Sequence, residues 1–231
     1  MFDRFKHRSY ELERLDTGDY TTAQYNRWHR EMWFVHRIFG EVRALRRSLF
    51  KTIQDSDKSS VSILDVGAGS GGMLIEIGNW LKDRKALLVG AELNTEATVE
   101  MHRSKIKTVQ CDATGLPFAD GSFDFVFCTL FLHHLGDEPA VELLEEMSRV
   151  AANRIFVIDL NRHPTAYYFY KFIAGVFFQK FTRDDGALSI LRSFNPKEML
   201  ELAKKAGLVD VKVERSRVNR LILSGRHHKY E

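Results

Sequence analysis

Hydrophobic positions along this chain of 231 residues change their spacing twice. In the first zone Met32, Val35, Phe39, Val42, Leu45, Leu49 and Ile53 recur at three- and four-residue steps, which predicts a helical stripe. The polar run QDSDKSS at 54–60 ends it. From Val61 short apolar runs alternate with helical patterns. Strands are expected at 61–66, 86–91, 106–110, 123–129 and 154–159, with helices near 71–82, 95–104 and 138–150. Such alternation means right-handed crossovers, and so an α/β fold whose mostly parallel sheet carries helices on both faces. Later, Asn195 at the N-cap, Pro196, Glu198 and the trailing Gly207 bound another helix. Two closing strands, 208–214 and 218–224, are too near in sequence for a parallel crossover, so one must run antiparallel. The expected organisation is a helical cap over 1–57 and a main domain over 58–231.

Residues 161–194 interrupt that domain as a helical insertion. Tyr167, Tyr168, Phe169, Tyr170, Phe172, Phe177, Phe178 and Phe181 go round the helix rather than down one side. The pattern predicts burial on several sides or a greasy ligand, and reads as a lid. A helix lying on a membrane is the disfavoured alternative, since the apolar residues are not confined to one face.

Composition narrows the function classes. Lys and Arg number 34 against 31 Asp and Glu, a net charge of +3 that does not argue for nucleic acid. Cys111 and Cys128 have neither metal-ligand spacing nor a disulfide framework, which favours a reducing compartment. No apolar signal core opens the chain and no run of apolar residues is long enough to span a bilayer, so a cytoplasmic protein without stable membrane insertion is expected.

The chemistry concentrates in ILDVGAGSGGMLIEI at 63–77, where an apolar strand runs into a glycine loop and then a helix. Gly67, Gly69 and Gly71 let the backbone turn sharply and approach a ligand, and the helix amides face it. Gly67, Gly69 and Gly72 also fit a dinucleotide fingerprint, so the loop alone does not choose a cofactor. Asp65 bears on that choice. A carboxylate repels a pyrophosphate but suits a ligand with an ammonium and a cationic sulfur, although it could also merely brace the loop. Glu92 ends the second strand, where it can accept both hydroxyls of a ribose, and Asp112 follows the third. Three acids at the carboxyl ends of successive strands mark where open sheets bind ligands.

LDVGAGSGG, AELN, CDATGLPFADGSFDFVF and TLFLHHL, in this order, resemble the class I methyltransferases that use S-adenosylmethionine (SAM), above all the bacterial small-molecule enzymes related to quinone biosynthesis. FLHHL and DDGALSILRSF add a likeness to methyltransferases associated with type III polyketide synthases. The resemblance covers about 61–160 and implies a seven-stranded sheet with its last strand antiparallel. It implies that Asp65, Gly67, Ala68, Gly69 and Gly71 hold the methionine part of SAM. Glu92 would bind ribose, Leu93 and Ala113 flank adenine, and Asp112 take its amino group. Cys128 and Thr129 would pass backbone atoms near the sulfonium.

An oxygen acceptor must also lose a proton. His133 and His134 follow the fourth strand and titrate in the useful range; for each, the alternative is a hydrogen-bonded structural histidine. Side chains of neighbours on an extended chain point to opposite faces, so one of the two, His133, is expected to serve. Some quinone-type relatives carry carboxylates here for a divalent ion; Leu130 and His133 stand in their place, and no metal is expected. The motif after the fourth strand is not that of DNA amino-methyltransferases, and Cys128 sits in an apolar strand rather than as a nucleophile. The reading is a SAM-dependent methyltransferase for a small, largely apolar phenolic, quinol or polyketide-like acceptor, at oxygen. The rivals are C-methylation, a nucleotide-binding oxidoreductase, and a catalytically idle SAM-binding regulatory protein.

Overall fold

The computed structural model describes residues 3–230, with the side chains of Asn26, His29, Trp33, His36, Arg37, Ile38 and Tyr230 outside the description. Seven strands form one sheet: β1 (Ser60–Val66), β2 (Lys85–Glu92), β3 (Lys107–Gln110), β4 (Phe123–Thr129), β5 (Ala151–Leu160), β6 (Leu208–Ser216) and β7 (Arg220–His227). Their order is β3-β2-β1-β4-β5-β7-β6. Strands β1 to β5 pair in parallel, and β7 runs antiparallel to both β5 and β6. The β6–β7 turn is tight, three residues from Arg217 to Asn219, and Val218 and Asn219 both take positive φ, 60° and 64°. The expected seven-stranded α/β sheet with an antiparallel last strand is therefore present. The largest shifts in boundaries are at β5, which begins three residues before Arg154, and at β7, which runs three residues past Ser224.

Ten α-helices surround the sheet: α1 (Arg14–Thr17), α2 (Thr22–Ile38), α3 (Glu41–Leu45), α4 (Lys51–Gln54), α5 (Gly72–Trp80), α6 (Thr95–Arg103), α7 (Asp137–Val150), α8 (Pro164–Phe177), α9 (Lys180–Arg192) and α10 (Pro196–Lys205). Alternate strand residues go to opposite faces. Leu64, Val126, Cys128 and Val157 pack with Leu143, Met147, Met199 and Leu202 on one side. Ile63, Phe125, Phe127 and Ile158 pack with Leu45, Leu49, Ile53, Leu74 and Ile77 on the other. Burial on both faces explains why the central strands are unbroken apolar runs.

The N-terminal stripe is not one helix. It breaks at Gly40, with φ 93°, where a Cβ would lie 3.1 Å from the Arg217 carbonyl. Below the break Leu45, Leu49 and Ile53 cover the sheet. Above it Val35 and Phe39 join Tyr167, Tyr170, Ala174 and Ile190 in a separate apolar cluster over the ends of β4 and β5, touched by Leu130. Buried Glu41 pairs with buried Arg220 of β7 and pins the two parts at the break.

Candidate active site

Strand β1 lies between β2 and β4, so the chain leaves it in opposite directions and opens a crevice at its carboxyl end. Gly67, with φ 70°, begins the loop there, and its N–H donates to the Ala91 carbonyl at 2.9 Å. A Cβ on Gly67 would stand 2.6 Å from the Phe131 ring, whereas one on Gly69 would meet nothing within 4 Å. The loop is thus packed on one side and open on the other. The Gly69 N–H donates to Glu92 Oε2 at 2.8 Å, and the Asn94 N–H to Oε1 at 2.9 Å. Glu92 is accordingly tied to the glycine loop before any ribose reaches it.

Asp65 is buried, and its Oδ1 has no hydrogen-bond partner among the described residues. Burial, and then the charge of Glu92, push its carboxyl well above the usual range. An unpartnered buried carboxylate beside a second one calls for a cationic ligand. The ammonium and sulfonium of SAM meet that demand, and a dinucleotide pyrophosphate does not.

The remaining expected cofactor residues line the same edge. Half-buried Ala68 follows Gly67, and Leu93 after β2 is 64% exposed, an apolar surface beside the loop. Gln110 donates to the Leu93 carbonyl at 3.0 Å and so ties the ends of β2 and β3. Asp112 is exposed, and the N–H and hydroxyl of Thr114 hold its carboxyl below the usual range. Ala113 packs against the core beside it. Cys128 is fully buried, and its thiol is pushed up by burial, then by Asp159 and Asp65. Its strand, β4, lies between β1, which carries Asp65, and β5, which carries Asp159. Thr129 ends β4, half-buried.

Beyond Thr129 the chain turns through Leu130, whose φ of 50° is costly for a branched residue outside a tight turn. Its N–H donates to the Ile158 carbonyl at 2.9 Å. The turn sends Phe131 onto the glycine loop and leads into a 3-10 turn at Leu132–His134. Here the structure corrects one expectation. His133 and His134 do not diverge as on an extended chain, because the tighter turn brings their rings to 4.3 Å, inclined by 35°. His133 is 3% exposed. Its Nδ1 lies 2.7 Å from Asp159 Oδ1, and its backbone N–H donates to Oδ2 at 3.0 Å. A carboxylate accepts, so Nδ1 carries the hydrogen, and Nε2 is the ring nitrogen turned away from Asp159. Burial favours a neutral Asp159, but His133 and the neighbouring amides outweigh it and lower its pKa.

An N-terminal strap closes over this pair. Glu13 Oε1 lies 3.8 Å from His133 Nε2 and takes the Ser189 hydroxyl at 2.8 Å. Burial pushes its carboxyl up to about 7, against the pull of His134, Ser189 and Arg192. His134 Nδ1 meets Asp16 at 2.8 Å, and Asp16 also pairs with Arg192. Burial opposes ionisation of Asp16, but His134 and Arg192 win and hold its carboxyl below the usual range. Arg192 further donates to the carbonyls of His133 and His134 at 3.3 and 2.8 Å. Ligand atoms of Glu13, His133 and His134 lie within 4.8 Å of one another, a grouping able to hold a metal ion. The acid that the motif after β4 lacks is thus supplied from the N-terminus.

An aromatic stack joins the N-terminal segment to α9. Tyr20 stacks on Tyr25 at 5.4 Å and on Phe181 at 5.5 Å, and Tyr25 on Trp28 at 5.7 Å. Burial, and then the charges of Tyr20, Glu96 and Glu92, raise the pKa of the Tyr25 phenol. Trp33, grouped with Trp28 in the sequence, has its side chain outside the described residues. In α8, Tyr167, Tyr170 and Ala174 turn inward, but Phe169, Phe172 and Val176 face solvent. Its all-round apolar pattern is therefore two faces with different fates, and only one is buried. A hollow lined by Ser60, Lys85, Lys107 and Asp124 lies at the other end of the strands, away from these groups.

Residues 63–154 match the family model described as a methyltransferase domain. The chain is 30% identical over 167 residues to a demethylmenaquinone methyltransferase of Mycolicibacterium vanbaalenii, covering 71% of this chain and 68% of that one. It is 29% identical over 169 residues to the demethylmenaquinone methyltransferase of Roseiflexus sp., covering 64% and 68%. In fold it is similar to magnesium protoporphyrin IX methyltransferase from Synechocystis PCC 6803, solved with bound SAH. That match has TM-score 0.62 and 16% identity, over 89% of this chain and 95% of that one.

Proposed function

The chain belongs to the class I SAM-dependent methyltransferases, and from that premise we propose that it methylates an oxygen of a small, largely apolar phenolic, quinol or polyketide-like acceptor. The observation that carries the reading is buried Asp65 on β1, its Oδ1 without a partner among the described residues, together with the Asp159–His133 pair at the end of β5, across β4 from it. When bound, SAM supplies a methyl group on a cationic sulfur. Asp65 and the loop Gly67, Ala68, Gly69 and Gly71 would hold its methionine end. Glu92 would take the ribose, and Leu93, Asp112 and Ala113 the adenine. On the acceptor side, Asp159 fixes the His133 tautomer so that Nε2 can take the hydroxyl proton as the oxygen is methylated. The acceptor approaches along the direction that Glu13 now faces, beneath a cap formed by the N-terminal segment and residues 161–194. The Tyr20, Tyr25, Trp28 and Phe181 stack favours an aromatic guest. The two relatives named demethylmenaquinone methyltransferases support a quinol-like ring.

One observation favours a second reading. His133 is sealed beneath Glu13, which suits a purely structural pair and methylation at an activated ring carbon. Incubation with methyl-labelled SAM and a panel of phenols, quinols and alkyl-pyrones, read by tandem mass spectrometry, separates the two. Label on oxygen is expected. Label on ring carbon favours the second reading, and tight SAM binding with no labelled product would leave a SAM-binding regulatory protein.

A further inference from the structure

The cap carries an apolar surface that its own packing leaves uncovered. In α8, Tyr167, Tyr170 and Ala174 face the cluster of Val35, Phe39 and Ile190. Tyr168, Phe172 and Val176 repeat at four-residue steps on the opposite side, joined by Phe169. Phe172 is 71% exposed, Val176 68% and Phe177 64%. Phe34 of α2 is exposed as well, and its ring meets Phe178 edge-on at 6.2 Å, so the surface continues from α8 onto α2. Burying one such ring is worth roughly tenfold in an equilibrium, and four or five in one stripe are not accounted for as scattered surface apolars.

The charges around this surface say what covers it. Arg27, Arg30, Phe34, Phe177 and Phe178 line one hollow, with exposed Lys171 and Lys180 on the adjoining helices. The carboxylate in that hollow, Glu31, is already paired with Arg27 at 2.8 Å. A second copy of the chain would bring two basic rims together, which is unfavourable. An anionic lipid surface presents phosphates to the rim and acyl chains to the rings. The helix has 14 residues, roughly 21 Å of length, too short to cross a bilayer and long enough to lie in its interface.

We propose that the outer face of α8, with Phe34 of α2, docks reversibly on an anionic membrane surface. Aromatic rings enter the acyl boundary, and Arg30 and Lys180 meet the headgroup phosphates. This reverses the sequence-based objection to a membrane-surface helix. The apolar residues surround α8 because one face packs on the cap and the other meets lipid. It stands on the surface itself and not on methyl transfer, so it is read without an acceptor.

The test is co-sedimentation of the full chain with vesicles of phosphatidylglycerol and phosphatidylcholine, and with phosphatidylcholine alone. Binding to the mixed vesicles, weakened by salt and by Arg30→Glu, is expected. Phe172→Glu should lower the partition coefficient at least tenfold with SAM affinity unchanged, which shows that the variant is folded. Val176→Glu should act in the same direction. No binding by the unmodified chain, equal binding to neutral vesicles, or equal binding by Phe172→Glu would each overturn the proposal. So would a dimer in solution that Phe172→Glu splits.

Discussion

The cofactor crevice and the acceptor cap meet at the carboxyl ends of the same strands but handle charge in opposite ways. In the crevice Asp65 is buried with an oxygen unpartnered, and Glu92 adds a second negative charge. In the cap the buried charges beside the histidines already have protein partners: Asp159 has His133, Arg192 has Asp16, and the Arg8 guanidinium has Asp137. A buried carboxylate without a partner is costly, and remains only where a ligand completes it. The crevice is therefore a binding site awaiting a cation. The cap is a self-sufficient network in which chemistry requires some internal contact to give way. Glu13 is the candidate for that contact, since it faces the Nε2 of His133 at 3.8 Å.

The sharpest way to break this contrast is at His133. His133→Gln removes the proposed proton acceptor but touches nothing in the crevice, so kcat should fall roughly 10²–10⁴-fold, the usual range for a general base. SAM affinity measured by calorimetry should stay within about twofold. Asp159→Asn should act in the same direction by losing the tautomer, whereas His134→Gln should mainly lower the melting temperature. Near-normal turnover by His133→Gln would return the histidine pair to a structural role and move methylation to carbon.

The complementary variant lies in the crevice. Asp65→Ala should weaken SAM binding by about 1.5–3 kcal/mol, the worth of a hydrogen bond to a charged group, or roughly ten- to a hundredfold. Glu92→Ala should cost a similar amount, part of it through the glycine loop it braces at Gly69. Unchanged calorimetric affinity in both variants would remove the cation-binding role of the crevice.

The two regions were also unequally legible in the sequence. Asp65, the glycines, Glu92 and Asp112 sit at strand ends within one stretch of chain, so period and spacing suffice to bring them together. Asp159, Glu13, Asp16 and Arg192 were missed, because their contacts with the histidines span 26 to 120 positions. Arg192 lies within the recognised run DDGALSILRSF, but nothing local says that it reaches the carbonyls of the histidine turn. The relative direction of His133 and His134 turned on the 3-10 turn at Leu132–His134, which is entered through the positive φ of Leu130 and which the apolar side chain there does not announce. The break of the N-terminal stripe did have a signal in Gly40, since a glycine inside a helical pattern marks a possible end.

pH should distinguish the regions by a smaller effect. Asp65 without ligand holds its proton above the ordinary carboxylate range, and a bound cation favours the carboxylate, so binding releases a proton. SAM affinity should rise with pH through that window by up to about tenfold per unit, then level off; Asp65→Asn should flatten the slope. Glu13 acts on stability instead. Its carboxyl is raised from 4.5 to about 7 on folding, so its contribution declines as pH climbs between those values. Glu13→Gln should remove a slope on the order of 1 kcal/mol per pH unit in denaturation curves and leave SAM affinity alone. An affinity slope that survives Asp65→Asn but not Glu13→Gln would merge the two regions into one titrating unit.

The smallest expected effect is that of a chelator, and it sharpens the assignment of the cap. Glu13, His133 and His134 present three ligand atoms within 4.8 Å, with His133 Nδ1 and His134 Nδ1 each held by a carboxylate, as metal-binding imidazoles often are. Against a dication stands Arg192, whose guanidinium pairs with Asp16, lies 3.8 Å from Glu13 and donates to both histidine carbonyls. At roughly 5 Å and an effective dielectric of about 20, a divalent ion and a guanidinium repel by about 6–7 kcal/mol, more than a third weak ligand returns. The arginine is thus the resident cation. Dialysis against a chelator should leave turnover within about twofold, and added zinc should not raise the melting temperature. Loss of activity on chelation, restored by zinc, would make His133 a ligand rather than a base. The fall in kcat of His133→Gln would then be accompanied by a loss of bound metal, which elemental analysis of the purified variant would reveal.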